Sequence, residues 1–452
     1  MASSFFTEEE DRLLTQTGPG TTMGDFMRRY WFPALLSNRL PAANSDPVPI
    51  TLLGEELVAF RSADGRVGLV DRYCPHRRAS LALARTGECG IRCIYHGWLI
   101  DPDGRVLETP PEPANSRFAQ TVQHRAYPTR EAAGVVWTYM GPPEARPPFP
   151  NWLATTLPES HVLPLLYYQP CNWLQSFEGD FDAGHAPYLH WSKQDAEFAL
   201  NLKWQDQKIF FDPRPLTAFA VAPWGVQSVM RFVLEYQTEA VYWVNAYVMP
   251  FFSMLPVLDG YLFRALVPSN DESHYAFTLF LSPARPLADD FYLTLGIRPE
   301  DFEVDPTTYY SPEWTGEGYR QDRELMRSGE SWSGIAGGMN QDMAVTQSMG
   351  GVVDRTKENL AGEDFLVIQT RKYYLETLDK FRRGEVLPGL QEDMDHSAVD
   401  CRSVVTAVDT PLHEVLRRTD WRYRYVPGDS DVAEKPPATI WTPPLGSGQG
   451  VP

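Results

Sequence analysis

Residues 74–98 read CPHRRASLALARTGECGIRCIYHGW, and this stretch decides the fold. It opens on Cys74-Pro75-His76, runs sixteen residues, and closes on Cys93-Ile94-Tyr95-His96. Two thiols and two imidazoles suit a zinc ion or a two-iron cluster in which two thiolates bind one iron and two imidazoles the other. Zinc fingers pair Cys with Cys and His with His at short separation. Here each half pairs one Cys with one His, so each loop supplies one ligand to each iron of a two-iron rhombus. Neutral imidazoles raise the potential of such a cluster above that of an all-Cys one, which suits an electron relay. With five Cys and nine His in 452 positions, one CxH arises by chance about 0.1 times, and one CxxH about as often. Their meeting in one short segment therefore favours a metal site over unrelated core residues. Cys89 lies between the halves without a His partner and reads as a buried thiol.

Outward from this stretch, residues 46–150 read as short strands: Val48 to Leu53, Glu56 to Arg61, Val67 to Asp71, Gly90 to Ile94 and Val135 to Met140. Turn signals such as Asp64-Gly65 and Asp103-Gly104 separate them, which predicts a small antiparallel β domain. Residues 1–45 read as a helical segment, with a capping-box signal at Thr7-Glu8-Glu9-Glu10, a turn at Gly18-Pro19-Gly20 and a helix over Met23 to Trp31. Residues 151–435 mix textures. Ser176 to Trp191 is expected to be helical in part, 208–282 a meandering sheet, and 318–327, 340–348 and 365–383 helical. The Pro- and Gly-rich stretch 436–452 reads as a C-terminal tail.

Hydrophobic residues make up 43% of the chain and the formal net charge is -19. A large core is available, and nucleic-acid binding, which needs clustered Lys and Arg, is disfavoured. An odd count of five cysteines argues against a disulfide framework. The longest apolar stretch, Tyr247 to Leu258, is short and interrupted by Pro250 and Pro256, so no membrane span is expected. The N-terminus MASSFFTEEEDR has no basic start and no apolar run, and a cytoplasmic location is expected. No GxGxxG or Walker pattern is present, so NAD is not expected to bind this chain.

The run CPHRRASLALARTGECGIRCIYHGWLIDPDGRV resembles the Rieske domain of ring-hydroxylating and aryl O-demethylating oxygenases, with Tyr95-His96-Gly97-Trp98 and the turn at Gly104 typical of it. The opening LLTQTGPGTTMGDFMRRYWFPAL resembles the phthalate dioxygenase group of that family. The resemblance implies that Cys74, His76, Cys93 and His96 hold a [2Fe-2S] cluster. It also implies a second, mononuclear Fe(II), for which two His and one carboxylate leave a face free for O₂.

The segment NWLQSFEGDFDAGHAPYLH, residues 172–190, supplies DxxH followed by HxxxxH. Asp182 and His185 share a helix face. His185 and His190 lie about 140° apart on an ideal helix and would not converge on one. Pro187 between them makes a distorted turn plausible. By resemblance His185 and His190 are iron ligands, and Asp182 bridges His185 to the cluster ligand His96 of a neighbouring subunit. The run NQDMAVTQSMG, residues 340–350, resembles the late Asp motif and makes Asp342 the third ligand, ahead of Asp180 and Glu178. Histidines 124, 161, 274, 396 and 413 lack paired spacing and read as surface or core.

The implied fold is α+β: a small antiparallel β Rieske domain and a larger helix-grip catalytic domain, assembled as head-to-tail trimers, sometimes stacked into hexamers. The implied activity is that of a terminal oxygenase. A separate NAD(P)H-dependent reductase carrying flavin and iron–sulfur centres supplies electrons, and an aromatic compound is dihydroxylated, hydroxylated or O-dealkylated with O₂. Phe232, Trp243, Tyr247, Phe251, Phe252 and Met254 are available to a pocket, although most such residues are ordinary core. Arg231 or Arg264 could pair an aromatic carboxylate. The rival reading is a Rieske electron carrier, which needs only about 100 residues. This chain has a second ligand set beyond that length.

Overall fold

The structure, a computed structural model, describes residues 6–192, 203–204, 207–210, 215–234, 236, 238–257, 260–283, 285–287, 318–399, 401–417 and 424–426. The expected tail at 436–452 lies outside the described residues.

Helix Glu8–Thr15 starts where the sequence predicts. The Thr7 hydroxyl accepts from the Glu10 amide (3.2 Å), and the Glu10 carboxylate accepts from the Thr7 amide (2.8 Å). The helix expected over Met23 to Trp31 is shorter, Thr22–Met27, and the chain then turns into a strand, Trp31–Leu36. That strand is buried at every position, so WFPALL shows none of the polar alternation that marks a half-exposed strand. It pairs antiparallel with Val135–Tyr139, which pairs with Thr129–Ala132.

Two small antiparallel sheets frame the CxH and CxxH loops. One runs in the order Val48–Leu52, Glu55–Arg61, Val67–Asp71 and Ala126–Tyr127; the other is Ile91–Arg92, Leu99–Ile100 and Val106–Glu108. Gly65 and Gly104 sit at φ 86° and 79° in the turns foreseen at Asp64-Gly65 and Asp103-Gly104. A Cβ on Gly104 would lie 2.2 Å from the His124 carbonyl oxygen, so the turn requires glycine.

The remaining elements build a large antiparallel sheet. Its central path runs Val162–Gln169, Ser273–Leu281, Gly260–Asn270, Phe252–Val257, Glu239–Val248 and Gly225–Leu234. Helices Trp173–Phe181 and Phe365–Arg382 lie against the sheet, and Gly338–Ser348 packs on Trp173–Phe181. The main core lies between this sheet, the long helix and the N-terminal elements, with Phe251 set edge-on to Phe32 and Phe252 stacked on Trp137. Phe251 and Phe252 are therefore ordinary core residues. A separate small core of Val58, Phe60, Leu81, Ile91, Trp98 and Ile100 encloses Cys74 and Cys93, whereas Cys89, expected to be buried, is exposed.

Candidate metal centres

Helix Trp173–Phe181 is anchored at its start by Asn172, whose side chain accepts from the Leu174 amide and donates to the carbonyls of Thr15 and Asp271. It ends at Asp182, whose extended backbone (φ -78°, ψ 115°) stops the helix while its amide still donates to the Glu178 carbonyl (3.1 Å). A four-residue helix, Ala186–Leu189, follows, with His185 at its N-cap and His190 at its C-cap. Pro187 falls in the first turn, where a missing N–H costs nothing. The interruption between two helices solves the 140° problem, and the two imidazole rings meet edge to face with centroids 5.1 Å apart.

Asp342 comes from a distant helix, Gly338–Ser348, held against the first by Gln175. The Gln175 side chain donates to the carbonyls of Thr346 and Gly350 (3.0 Å each) and accepts from the Val353 amide (2.9 Å). The result places Asp342 Oδ1 at 3.3 Å from His190 Nε2 and 3.5 Å from His185 Nε2. Among the described residues, His185, His190 and Asp342 are the group whose donor atoms all lie within 4.8 Å of one another. His190 is buried, whereas the His185 and Asp342 side chains remain 24% and 42% exposed, so one side of the triad is open to a ligand.

Each imidazole is fixed through its other nitrogen. His185 Nδ1 faces Asp182 Oδ2 at 3.3 Å, and Asp182 Oδ1 accepts from the Gly184 amide (2.7 Å). His190 Nδ1 donates to Gln341 Oε1 (2.6 Å), because Gln341 Nε2 is committed to the Ile335 carbonyl (2.7 Å). Both Nε2 lone pairs are thereby left for a metal. Burial alone would depress the His185 pKa, but the carboxylates of Asp182 and Asp342 outweigh it and lift the group to about 9. Burial would likewise raise Asp342, yet His190 and His185 hold its carboxyl below the usual range. Two imidazole nitrogens and one carboxylate oxygen converging on one point beside an open face suit a divalent cation of the two-His-one-carboxylate kind.

Gln341 was not legible as an imidazole partner, since Asn340 beside it is an equally good amide by sequence. Asp180 and Glu178, the weaker ligand candidates, are committed elsewhere. Asp180 pairs with Arg264 and accepts from the Ser253 hydroxyl (2.5 Å). Glu178 pairs with Arg371 (2.6 Å) and Arg355 (3.2 Å). Arg264 is therefore neutralised internally, and Arg231 donates to the Val408 carbonyl (3.0 Å). Of the aromatic candidates, Tyr247 comes near the site: it stacks on Phe181 at 3.8 Å and donates to the Asp180 carbonyl (2.6 Å).

The other four candidate ligands sit on two tight loops. Arg78 donates its amide to the Cys74 carbonyl (2.9 Å), Gly97 does the same to Cys93 (3.0 Å), and Cys93 donates to the Trp98 carbonyl (2.9 Å). Gly97, at φ 72°, closes the second loop. The thiols of Cys74 and Cys93 are buried neighbours, while the rings of His76 and His96 meet at 4.5 Å on the outer side. Burial pushes the Cys74 thiol up to about 11. His76 lies flat on Trp98, 4.7 Å away at 4°. Thiol beside thiol and imidazole beside imidazole is the pairing that a cluster with one all-Cys iron and one all-His iron demands. The donors fit that group.

Comparison with known proteins agrees. The Rieske [2Fe-2S] domain family matches residues 30–128, and the family described as LigXa C-terminal domain like matches residues 138–427. The chain belongs to the Rieske non-haem iron oxygenases. It is 32% identical over 449 residues to the phthalate 4,5-dioxygenase oxygenase subunit of Pseudomonas putida, covering 96% of this chain and 100% of that protein. It is 33% identical over 396 residues to the 3-chlorobenzoate-3,4-dioxygenase oxygenase subunit of Comamonas testosteroni, covering 84% and 90%. Among solved structures, the NdmA QL mutant of Pseudomonas putida CBB5 with theobromine superposes with a TM-score of 0.56 at 17% identity, covering 82% of this chain and 99% of that one. This Rieske oxygenase is thus a terminal oxygenase component, with a [2Fe-2S] cluster and a mononuclear iron as its cofactors. No helix among its described residues is long and apolar enough to cross a membrane.

Proposed function

We propose that this oxygenase oxidises an aromatic carboxylate on the open side of an iron held by His185, His190 and Asp342, with Cys74, His76, Cys93 and His96 holding the Rieske cluster. The observation that carries the reading is the convergence of three donors on one point with a partly exposed face. The cluster would supply single electrons, and the iron the site at which O₂ is reduced beside the substrate.

The chain's own residues do the positioning. Asp182 holds His185 in one tautomer and orientation, and Gln341 does so for His190. Asp182 is also the residue assigned to the electron path between a cluster in one subunit and the iron in the next, within a head-to-tail trimer. Residues 46–150 are assigned to the cluster and 151–435 to the iron, a division that the ligand positions support. An NAD(P)H-dependent reductase in the same compartment, the cytoplasm, is the expected electron donor. The acid class of substrate rests on the relatives that act on phthalate and 3-chlorobenzoate. Because Arg264 is paired to Asp180 and Arg231 faces the Val408 carbonyl, either would engage a substrate carboxylate only by changing partners.

The test is turnover of a panel containing benzoate, 3-chlorobenzoate, phthalate and a methoxybenzoate, each beside its neutral amide, with a reductase, NADH and isotopically labelled O₂. Product carrying label, or formaldehyde released from the methoxy compound, with the acids preferred over the amides, is expected. Equal or better turnover of the neutral amides would overturn the acid assignment.

A further inference from the structure

We propose that Glu178, gripped by Arg355 and Arg371, is a positioning residue that fixes Asp182 and through it the geometry of electron delivery. The inference rests on the role given to Asp182 above.

The helix that leads to Asp182 is weak at its end. Its last turn contains Gly179, whose Cβ position meets nothing within 4 Å, and glycine inside a helix costs about 1 kcal/mol relative to alanine. Another glycine, Gly184, follows Asp182 before His185. A stretch that carries two functional side chains on such a backbone needs holding from outside. The structure supplies that hold on two sides. Toward the sheet, Asp180 pairs with Arg264 and accepts from Ser253, while its carbonyl accepts from Tyr247.

Away from the sheet, Glu178 lies between two arginines whose side chains are 0% and 2% exposed. Arg371 reaches Glu178 through Nε and Nη2 (2.6 and 3.0 Å), and Arg355 through Nη2 (3.2 Å). The ladder continues to Asp11 from Arg355 (3.1 Å) and to Glu358 from Arg371 (2.5 and 3.0 Å). It thus ties the N-terminal helix and the long Phe365–Arg382 helix to one point.

Buried ion pairs are poor devices for stability alone, because desolvation offsets most of the attraction and apolar packing does as well. What a two-armed guanidinium grip adds is direction. Glu178 is one turn before Asp182, and its carbonyl accepts the Asp182 amide at 3.1 Å. A grip on Glu178 therefore sets the cap residue itself. Placement errors of about 1 Å at such positions cost rates on the order of a hundred-fold.

The experiment compares holoenzyme with Glu178→Gln and Asp182→Asn. Gln keeps the shape, and both arginines keep a second carboxylate. Three quantities are read: the rate of cluster oxidation in a single turnover with benzoate and O₂, the benzoate Kd with the iron content, and amide hydrogen exchange of residues 178–184. The expected result is slower cluster oxidation in both variants, by about ten-fold or more for Glu178→Gln. Kd and iron content should stay unchanged in Glu178→Gln, and exchange should be faster. If Asp182→Asn slows the step while Glu178→Gln lowers only the melting temperature, the positioning role is wrong. If Asp182→Asn leaves the step unchanged, the reading of Asp182 itself fails. Should Glu178→Gln not fold, Arg371→Lys, which keeps the charge and loses the two-armed grip, takes its place with the same expected slowing.

Discussion

Replacing Gln341 by Leu separates what the amide does for iron from what it does for the fold. The side chain is fully buried, accepts from His190 Nδ1 at 2.6 Å and donates to the Ile335 carbonyl at 2.7 Å. Leucine keeps the bulk and removes both bonds. Partners that orient a ligating imidazole contribute about 10–100-fold to metal affinity. At about 1.4 kcal/mol per decade this is about 1.4–2.8 kcal/mol of binding. The Ile335 carbonyl, left without its donor, costs a further 1–3 kcal/mol or so of folding stability, independent of metal. The two quantities are measured apart: anaerobic Fe(II) titration of iron-depleted protein against a competing chelator, and denaturation of that same protein. Gln341→Glu keeps the acceptor and loses the donor, so it should bind iron at least as well as the parent while losing the stability increment. Wild-type iron affinity in Gln341→Leu would refute the claim that Gln341 orients His190.

Arg264→Met should destabilise the protein by about 3–5 kcal/mol in urea unfolding, because it leaves the buried Asp180 carboxylate without its partner, and adding Asp180→Asn should restore part of the loss. Stability should also fall with acid well above the carboxylate range. His274 is fully buried, with Nδ1 on the Cys171 carbonyl, and burial depresses its pKa to about 4 against 6.5 when exposed. A histidine kept neutral in the fold costs nothing above pH 6.5. Below that the unfolded chain binds the proton first, so roughly 2 kcal/mol is lost by pH 5 from this group, with His396, also held near 4, adding to it. A flat stability profile between pH 7 and 5 would contradict this.

CxH and CxxH are each a single tight loop, so their spacing alone carries the chemistry. Turn glycines marked the hairpins for the same reason. Asp182, His185 and His190 lie on an interrupted helix whose spacing alone points away from convergence, and they and the distant Asp342 were reached through the family resemblance. The strand Trp31–Leu36 escaped because it is buried on both faces and so lacks a two-residue period. Gln341 escaped because its role exists only through a hydrogen bond to a residue 151 positions away. The spacing likewise left Arg231 and Arg264 equivalent. Only the pairing of neighbouring strands and the burial of Asp180 beneath them separate an arginine that neutralises a carboxylate from one that meets a backbone carbonyl.

The central claim is that two metal centres sit in this one chain, one on the 74–96 loops and one at His185, His190 and Asp342. Its most direct test is the visible spectrum and iron content of freshly purified protein beside His185→Ala. The account predicts a reducible red-brown Rieske spectrum with about three irons per chain, falling to about two in the variant with the spectrum retained. A colourless zinc protein, or a variant that loses the cluster spectrum while keeping the third iron, would contradict it.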